Sequence, residues 1–175
     1  MANREQKSGA ISQDILSMLC TDHQRLSQLF SEFRLIKDHA SLEDKEALVQ
    51  EICNELLLHA ELEEEIFYPA VREVLQDDML MDEAESEHTS AKDVIEELQA
   101  MHPSHPTYNA KVVVLGENVE RHMREEQSVI FPKVKKSRLN LWALGEEMQH
   151  LRAVKQAQLM NGGMMGARQL AHSRT

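Results

Sequence analysis

The chain has 175 residues, 42% of them hydrophobic, and a formal net charge of −11, a length that suits one domain with a real apolar core. That acidity argues against nucleic acid, which needs clustered Lys and Arg, and no run approaches the ~18 apolar residues of a membrane span. With only 6 Gly and 4 Pro, and no period-two alternation, the fold class expected is all-α.

The polar start Met1-Ala-Asn-Arg-Glu-Gln-Lys7 is no signal peptide. A first helix is expected from Ser12 to Asp38, with Ser12 as N-cap and the stripe Leu16, Leu19, His23, Leu26, Phe30, Phe33. A second runs from Leu42 to Phe67 behind the N-cap Ser41, with Asp44 giving a Ser-x-x-Asp capping box. Its stripe is Ile52, Leu56, His59, Glu63, Ile66, and Pro69 is expected to stop it. The third covers Met79 to Ala100, with the stripe Met81, Ala84, His88, Ala91, Ile95, Leu98. The prolines of Met101-His-Pro-Ser-His-Pro106 then break the chain. The fourth runs from Thr107 to Val134 on Leu115, Val119, His122, Glu126, Val129. A fifth, over 139–159, carries Leu141, Leu144, Met148 and Leu151. The domain reading is a bundle over 12–136, an accessory helix over 138–160 and a flexible tail over 161–175. Cys20 and Cys53 make no disulfide framework and read as reduced thiols of a cytoplasmic protein.

Two segments repeat. His59-x-x-x-Glu63 precedes Phe67-Tyr-Pro69, and His122-x-x-x-Glu126 precedes Phe131-Pro132, with His and Glu on one helix face in each. Upstream stand Asp22-His23 and Glu87-His88. His23, His59, Glu63, His88, His122 and Glu126 all fall in the apolar phase of their helices, where unpaired carboxylates are costly. A metal cluster compensates for all six together, since neutral imidazoles and ionised carboxylates become ligands. The neighbouring Glu61, Glu64, Glu65 and Glu125 are expected mostly to face solvent. His39, His102 and His105 fall in turns, and His150 and His172 lie beyond the bundle; all five read as surface histidines. Glu85-x-x-His88 matches a ferritin-type motif, but Cys20, Leu56 and Val119 stand three before the other histidines, so that reading fails.

This pattern, from Ile15 to Val134, resembles the hemerythrin-like family of His-His-Glu cation-binding domains. The resemblance implies an up-down-up-down four-helix bundle around two non-haem iron ions, oxo- or hydroxo-bridged. In it His23, His59, His88 and His122 are terminal ligands, and Glu63 and Glu126 are bridges. The family's oxygen carriers use five histidines, whereas four can be placed here. That leaves about one open position on each six-coordinate iron, and an open position marks a reactive metal rather than a structural one. Three function classes stay open. One is binding or reduction of O2, hydrogen peroxide or nitric oxide, with a catalase-like activity and protection against oxidative or nitrosative stress. The second is an oxygen- or iron-responsive sensor, with a protein partner or self-association through the C-terminal helix. The third is an iron donor for metal-centre repair. The core around Leu19, Leu26, Leu56, Ile66, Ile95 and Val119 is expected to admit only diatomics and peroxide-sized molecules.

Overall fold

A computed structural model of the chain describes residues 13–172, with side chains as far as residue 158. Helix α1 (Ile15–Ile36) is capped by Asp14, whose carboxylate accepts from the Leu16 and Ser17 amides; Ser12, expected to cap it, lies outside the described residues. Helix α2 (Leu42–Leu62) starts at Ser41, whose hydroxyl accepts from the Asp44 amide at 3.0 Å. The reciprocal half of a capping box is absent, because the short Asp44 side chain instead accepts from the Ser41 hydroxyl at 2.7 Å.

Pro69 does not stop the second helix. The chain widens into a π-turn over Glu63–Phe67, in which the Tyr68 amide donates to the Glu63 carbonyl, and continues as α3 (Tyr68–Leu75). A widened turn shifts the hydrogen-bond frame by one residue, so the missing Pro69 donor is accommodated without breaking the rod. Then α4 (Asp78–Ala100) and α5 (Tyr108–Glu125) follow, and a second π-turn, Glu126–Ile130, leads through Pro132 into α6 (Phe131–Lys135). Both π-turns begin on the repeated glutamates. They also correct the predicted stripes. The inserted residue turns Val129 outward (40% exposed) and brings Ile130 inward (2%), while Phe67 rather than Ile66 becomes fully buried.

The four long rods form the expected all-α, up-down-up-down bundle, with a fifth helix added. This helix, α7 (Leu141–His172), packs on α1, α2 and the first π-turn. It extends beyond the 139–159 expected from the sequence. Of the tail expected over 161–175, residues 173–175 lie outside the described residues, as do side chains from 159 onward. Gly145 lets α7 approach, since a Cβ there would stand 2.2 Å from the Gln13 carbonyl oxygen. Among the described residues no helix is long and apolar enough to cross a membrane.

The core is split into two apolar clusters. One holds Leu26, Phe30, Phe33, Ile52, Leu56, Ile95, Leu115 and Val119. The other holds Leu19, Leu62, Phe67, Met81, Ala84, Ile130, Phe131 and, from α7, Met148. Each rod passes from one cluster to the other through a single polar layer: His23 on α1, His59 and Glu63 on α2 and its π-turn, His88 on α4, His122 and Glu126 on α5 and its π-turn.

Candidate metal centre

All six sequence-predicted residues meet in that layer, each at most 6% exposed. They form two groups whose donor atoms lie within 4.8 Å of one another: His23, His59, Glu63 and Glu126, and then Glu63, His88 and His122. Glu63 belongs to both. Its Oε2 is 3.3 Å from His59 Nε2 and 3.3 Å from His88 Nε2. Glu126 Oε2 likewise lies 3.2 Å from His23 Nε2 and 3.6 Å from His122 Nε2. The two carboxylates thus each span histidines of both groups.

Each imidazole is held from behind. Glu64 is 3.0 Å from His88 Nδ1, Glu87 is 2.8 Å from His122 Nδ1, and the Gln127 amide is 2.8 Å from His23 Nδ1. Asp22 stands 3.6 Å from His59 Nδ1, too long for a full hydrogen bond, so that attraction is chiefly electrostatic. Carboxylates behind Nδ1 favour its protonation and leave the Nε2 lone pair facing inward, the form that binds a metal. The pattern crosses between halves of the bundle: the residue after each repeated glutamate supports the first histidine of the other half. Asp22 and Glu87 instead support the second histidine of their own half.

These supports were not found from the sequence. Glu64 was expected in solvent; it is half-buried, bonded to His88 and ion-paired to Lys92 at 2.6 Å. Burial works to raise its carboxyl, but Lys92 and His88 hold it below its ordinary range. Glu61 and Glu65 do turn outward, onto Lys155 of α7. In the sequence Tyr68 stands out only as part of the aromatic-proline run Phe67-Tyr-Pro69. It is buried, its hydroxyl donates to Glu126 Oε1 at 2.9 Å, and it lies 3.2 Å from His88 Nε2 and 3.4 Å from His122 Nε2. A regular helical count could not find it, because the π-turn is what brings it inward. His102 and His105 stay in their loop, bonded to Ser104 and Thr107, and neither joins the two groups.

Electrostatics leave the layer under-compensated. Burial, with Glu126 beside it, pushes the Glu63 carboxyl well above its ordinary value. Burial works the same way on Glu126, but the His23 ring 3.2 Å away and the nearby His122 bring it down to about 2. Left to themselves, the pair therefore divides one negative charge. Burial, reinforced by His122, lowers His88 to about 4, and burial also lowers His59. His23 Nε2, His59 Nε2, both Glu63 oxygens and Glu126 Oε2 are buried without a hydrogen-bond partner. Orphaned inward-facing nitrogen and oxygen donors at this density fit metal ions, which would satisfy them together.

Residues 14–134 match the hemerythrin HHE cation-binding domain. The chain belongs to that family. A hemerythrin HHE cation-binding-domain protein from Mycobacterium kansasii has the same fold, with a TM-score of 0.71 at 23% identity over 85% of this chain and 91% of that one. A protein named DNA nickase, from Nostoc sp. (strain PCC 7120 / SAG 25.82 / UTEX 2576), is 30% identical over 123 residues, which are 70% of this HHE chain. Those residues cover 33% of the nickase, so the chain spans about a third of that relative's length.

Proposed function

We propose that this HHE domain holds two non-haem iron ions, oxo- or hydroxo-bridged, and uses them to bind and reduce small oxidants: dioxygen, hydrogen peroxide or nitric oxide. One observation carries the reading. Two buried donor groups share Glu63, and His23 Nε2, His59 Nε2, both Glu63 oxygens and Glu126 Oε2 have no hydrogen-bond partner. His23 and His59 would hold one ion and His88 and His122 the other, with Glu63 and Glu126 shared between them. Nitrogen and carboxylate donors suit iron, and iron bound there supplies the Lewis acidity and the electrons that oxidant reduction requires.

The chain's own residues do the rest. Asp22, Glu64, Glu87 and Gln127 fix the imidazoles so that little reorganisation accompanies binding. The two apolar clusters close the layer from above and below. Tyr68 keeps its proton, because burial and the neighbouring Glu63 raise it well above the ordinary phenol value. A buried proton donor matters because reducing hydrogen peroxide to water consumes two protons with its two electrons. Two free cysteines accord with a reducing, cytoplasmic setting and a protective role there. DNA cleavage is not carried over from the nickase: the chain spans a third of it and has a net charge of −11.

The test is turnover. Iron-loaded protein should consume hydrogen peroxide, and azide should perturb its visible spectrum by entering an exchangeable position. A stable, reversible oxygen adduct with no peroxide turnover would instead mark a carrier or sensor.

A regulatory reading is favoured by one contact. Arg152 on α7 lies 2.5 Å from Asp22 Oδ2, and Asp22 faces His59. Iron status acting through His59 would then change the seating of α7, where a partner or second copy could read it. A change in hydrogen exchange over 141–158 on metal loading would support this reading; identical exchange with and without metal would remove it.

A further inference from the structure

The core was expected to exclude anything larger than peroxide, but a cavity of about 210 Å³ lies between α2, α4 and α5. Its walls are Leu56, Ala60, Ala91, Ile95, Leu115 and Val119. Three of its lining residues are His59, His88 and His122, so both donor groups of the metal centre border it. Toward solvent it is bordered by the exposed Ser90, Asn118 and Arg121. A peroxide needs little more room than a water, whose share of liquid volume is about 30 Å³. An aliphatic cavity of about 150 Å³ stays dry and takes up benzene in an engineered protein. The chamber therefore has room for a phenyl ring or a branched alkyl group.

Its charges narrow the ligand class. Both cations lining it are already paired, Lys92 with Glu64 at 2.6 Å and Arg121 with Glu87 at 3.1 Å. No unpaired cation among the lining residues awaits a carboxylate or phosphate, so an ionised head group would be desolvated without compensation. The polar end of an occupant is best placed at the histidines, its apolar part against the aliphatic walls.

We propose that this chamber binds uncharged organic hydroperoxides, with the alkyl or aryl group between α2, α4 and α5 and the O–O group toward His59, His88 and His122. The substrate class rests on the functional reading above; the apolar binding site does not. The reaction would balance as ROOH plus two electrons plus two protons, the electrons coming from the iron pair when ferrous and replaced, for turnover, by an external one-electron reductant. The O–O bond breaks to give ROH and water. Ala60 and Ala91 are the residues whose small size keeps the chamber open.

Benzyl alcohol serves as a redox-inert probe of the iron-loaded protein, by calorimetry and by soaking crystals. Binding with density between α2, α4 and α5 is the expected result. Ala91→Phe should weaken it by at least about tenfold while iron content and visible spectrum stay unchanged. Should that variant not fold, Val94→Trp, at a half-buried lining position, makes the same test. No binding to the unmodified protein, or equal binding to a folded, filled variant, overturns the site. Hydrogen peroxide turnover without benzyl alcohol binding overturns it alone, leaving the functional reading intact. Benzyl alcohol binding with turnover of neither hydrogen peroxide nor tert-butyl hydroperoxide supports the apolar site but overturns the substrate class together with the functional reading.

Discussion

Tyr68 and Phe131 occupy matching places in the two halves of the bundle, each just after a π-turn and just before a proline, yet they meet the polar layer differently. The Tyr68 hydroxyl donates to Glu126 Oε1 at 2.9 Å and lies against the His88 and His122 nitrogens. Phe131 has no such group and stacks on His23, with ring centroids 5.8 Å apart and planes 14° from parallel. The internal repeat is thus broken at one atom, and the two donor groups are chemically inequivalent.

Removing that atom tests the inequivalence. Tyr68→Phe should keep both metals, since it leaves all six ligating side chains in place. It should lose about 1–2 kcal/mol of stability, from one buried hydrogen bond to a carboxylate, and should alter the visible spectrum and slow peroxide turnover. A spectrum and rate equal to those of the unmodified protein would remove Tyr68 from the chemistry.

The shared glutamates make a sharper contrast. Glu63 lies within 3.3 Å of a histidine in each group, so Glu63→Ala should lose both metals rather than one. Glu126→Ala should behave similarly and lower the melting temperature of the metal-loaded protein, because metal binding is also folding free energy. Retention of about two metals by both variants would show that neither residue bridges.

Arg152 offers a test from outside the bundle. It touches no donor atom of the centre, but its contact with Asp22 helps keep that carboxyl below its ordinary range against burial. Arg152→Ala should therefore release metal faster, with affinity lowered by about tenfold, the usual scale for losing a group that orients a ligand. Unchanged affinity would confine α7 to a packing role.

Much of this site was legible in the sequence, for a physical reason. A histidine or glutamate in the apolar phase of a helix has to be compensated, and six at repeating positions pointed to one shared answer. Periodicity also located the four rods, since Leu19, His23 and Leu26 keep one phase through the polar layer. What was not legible depended on the π-turns and on pairing between helices. Nothing local in Glu63–Phe67 or in Glu126–Ile130 announces a widened turn, so by periodicity Pro69 reads as a stop and Val129 as core. Nor does Asp22-His23 reveal that the aspartate faces His59 of the next helix. Glu64 read as a solvated acid because helical phase alone cannot show that His88 and Lys92 wait on α4.

Acid should destabilise the metal-free fold through His88. Its folded pKa of about 4 lies below the ordinary 6.5 because burial, then His122, disfavours the charged ring. A depressed pKa contributes stability that is present above 6.5 and lost as pH falls through 4, worth roughly 3 kcal/mol. Glu63, raised by burial, runs the other way: its share is present at low pH and lost as pH rises through its folded value. Comparing melting temperatures of metal-free protein and His88→Gln across that range isolates the histidine. The variant should show a shallower fall toward acid; parallel curves would contradict the assignment.

Metal analysis of aerobically purified protein, read together with its visible spectrum, decides whether two iron ions are shared by the two buried donor groups. About two irons per chain, with the near-ultraviolet and blue absorption of an oxo-bridged ferric pair, are expected. One metal per chain, or a stoichiometric colourless ion such as zinc, would contradict that arrangement.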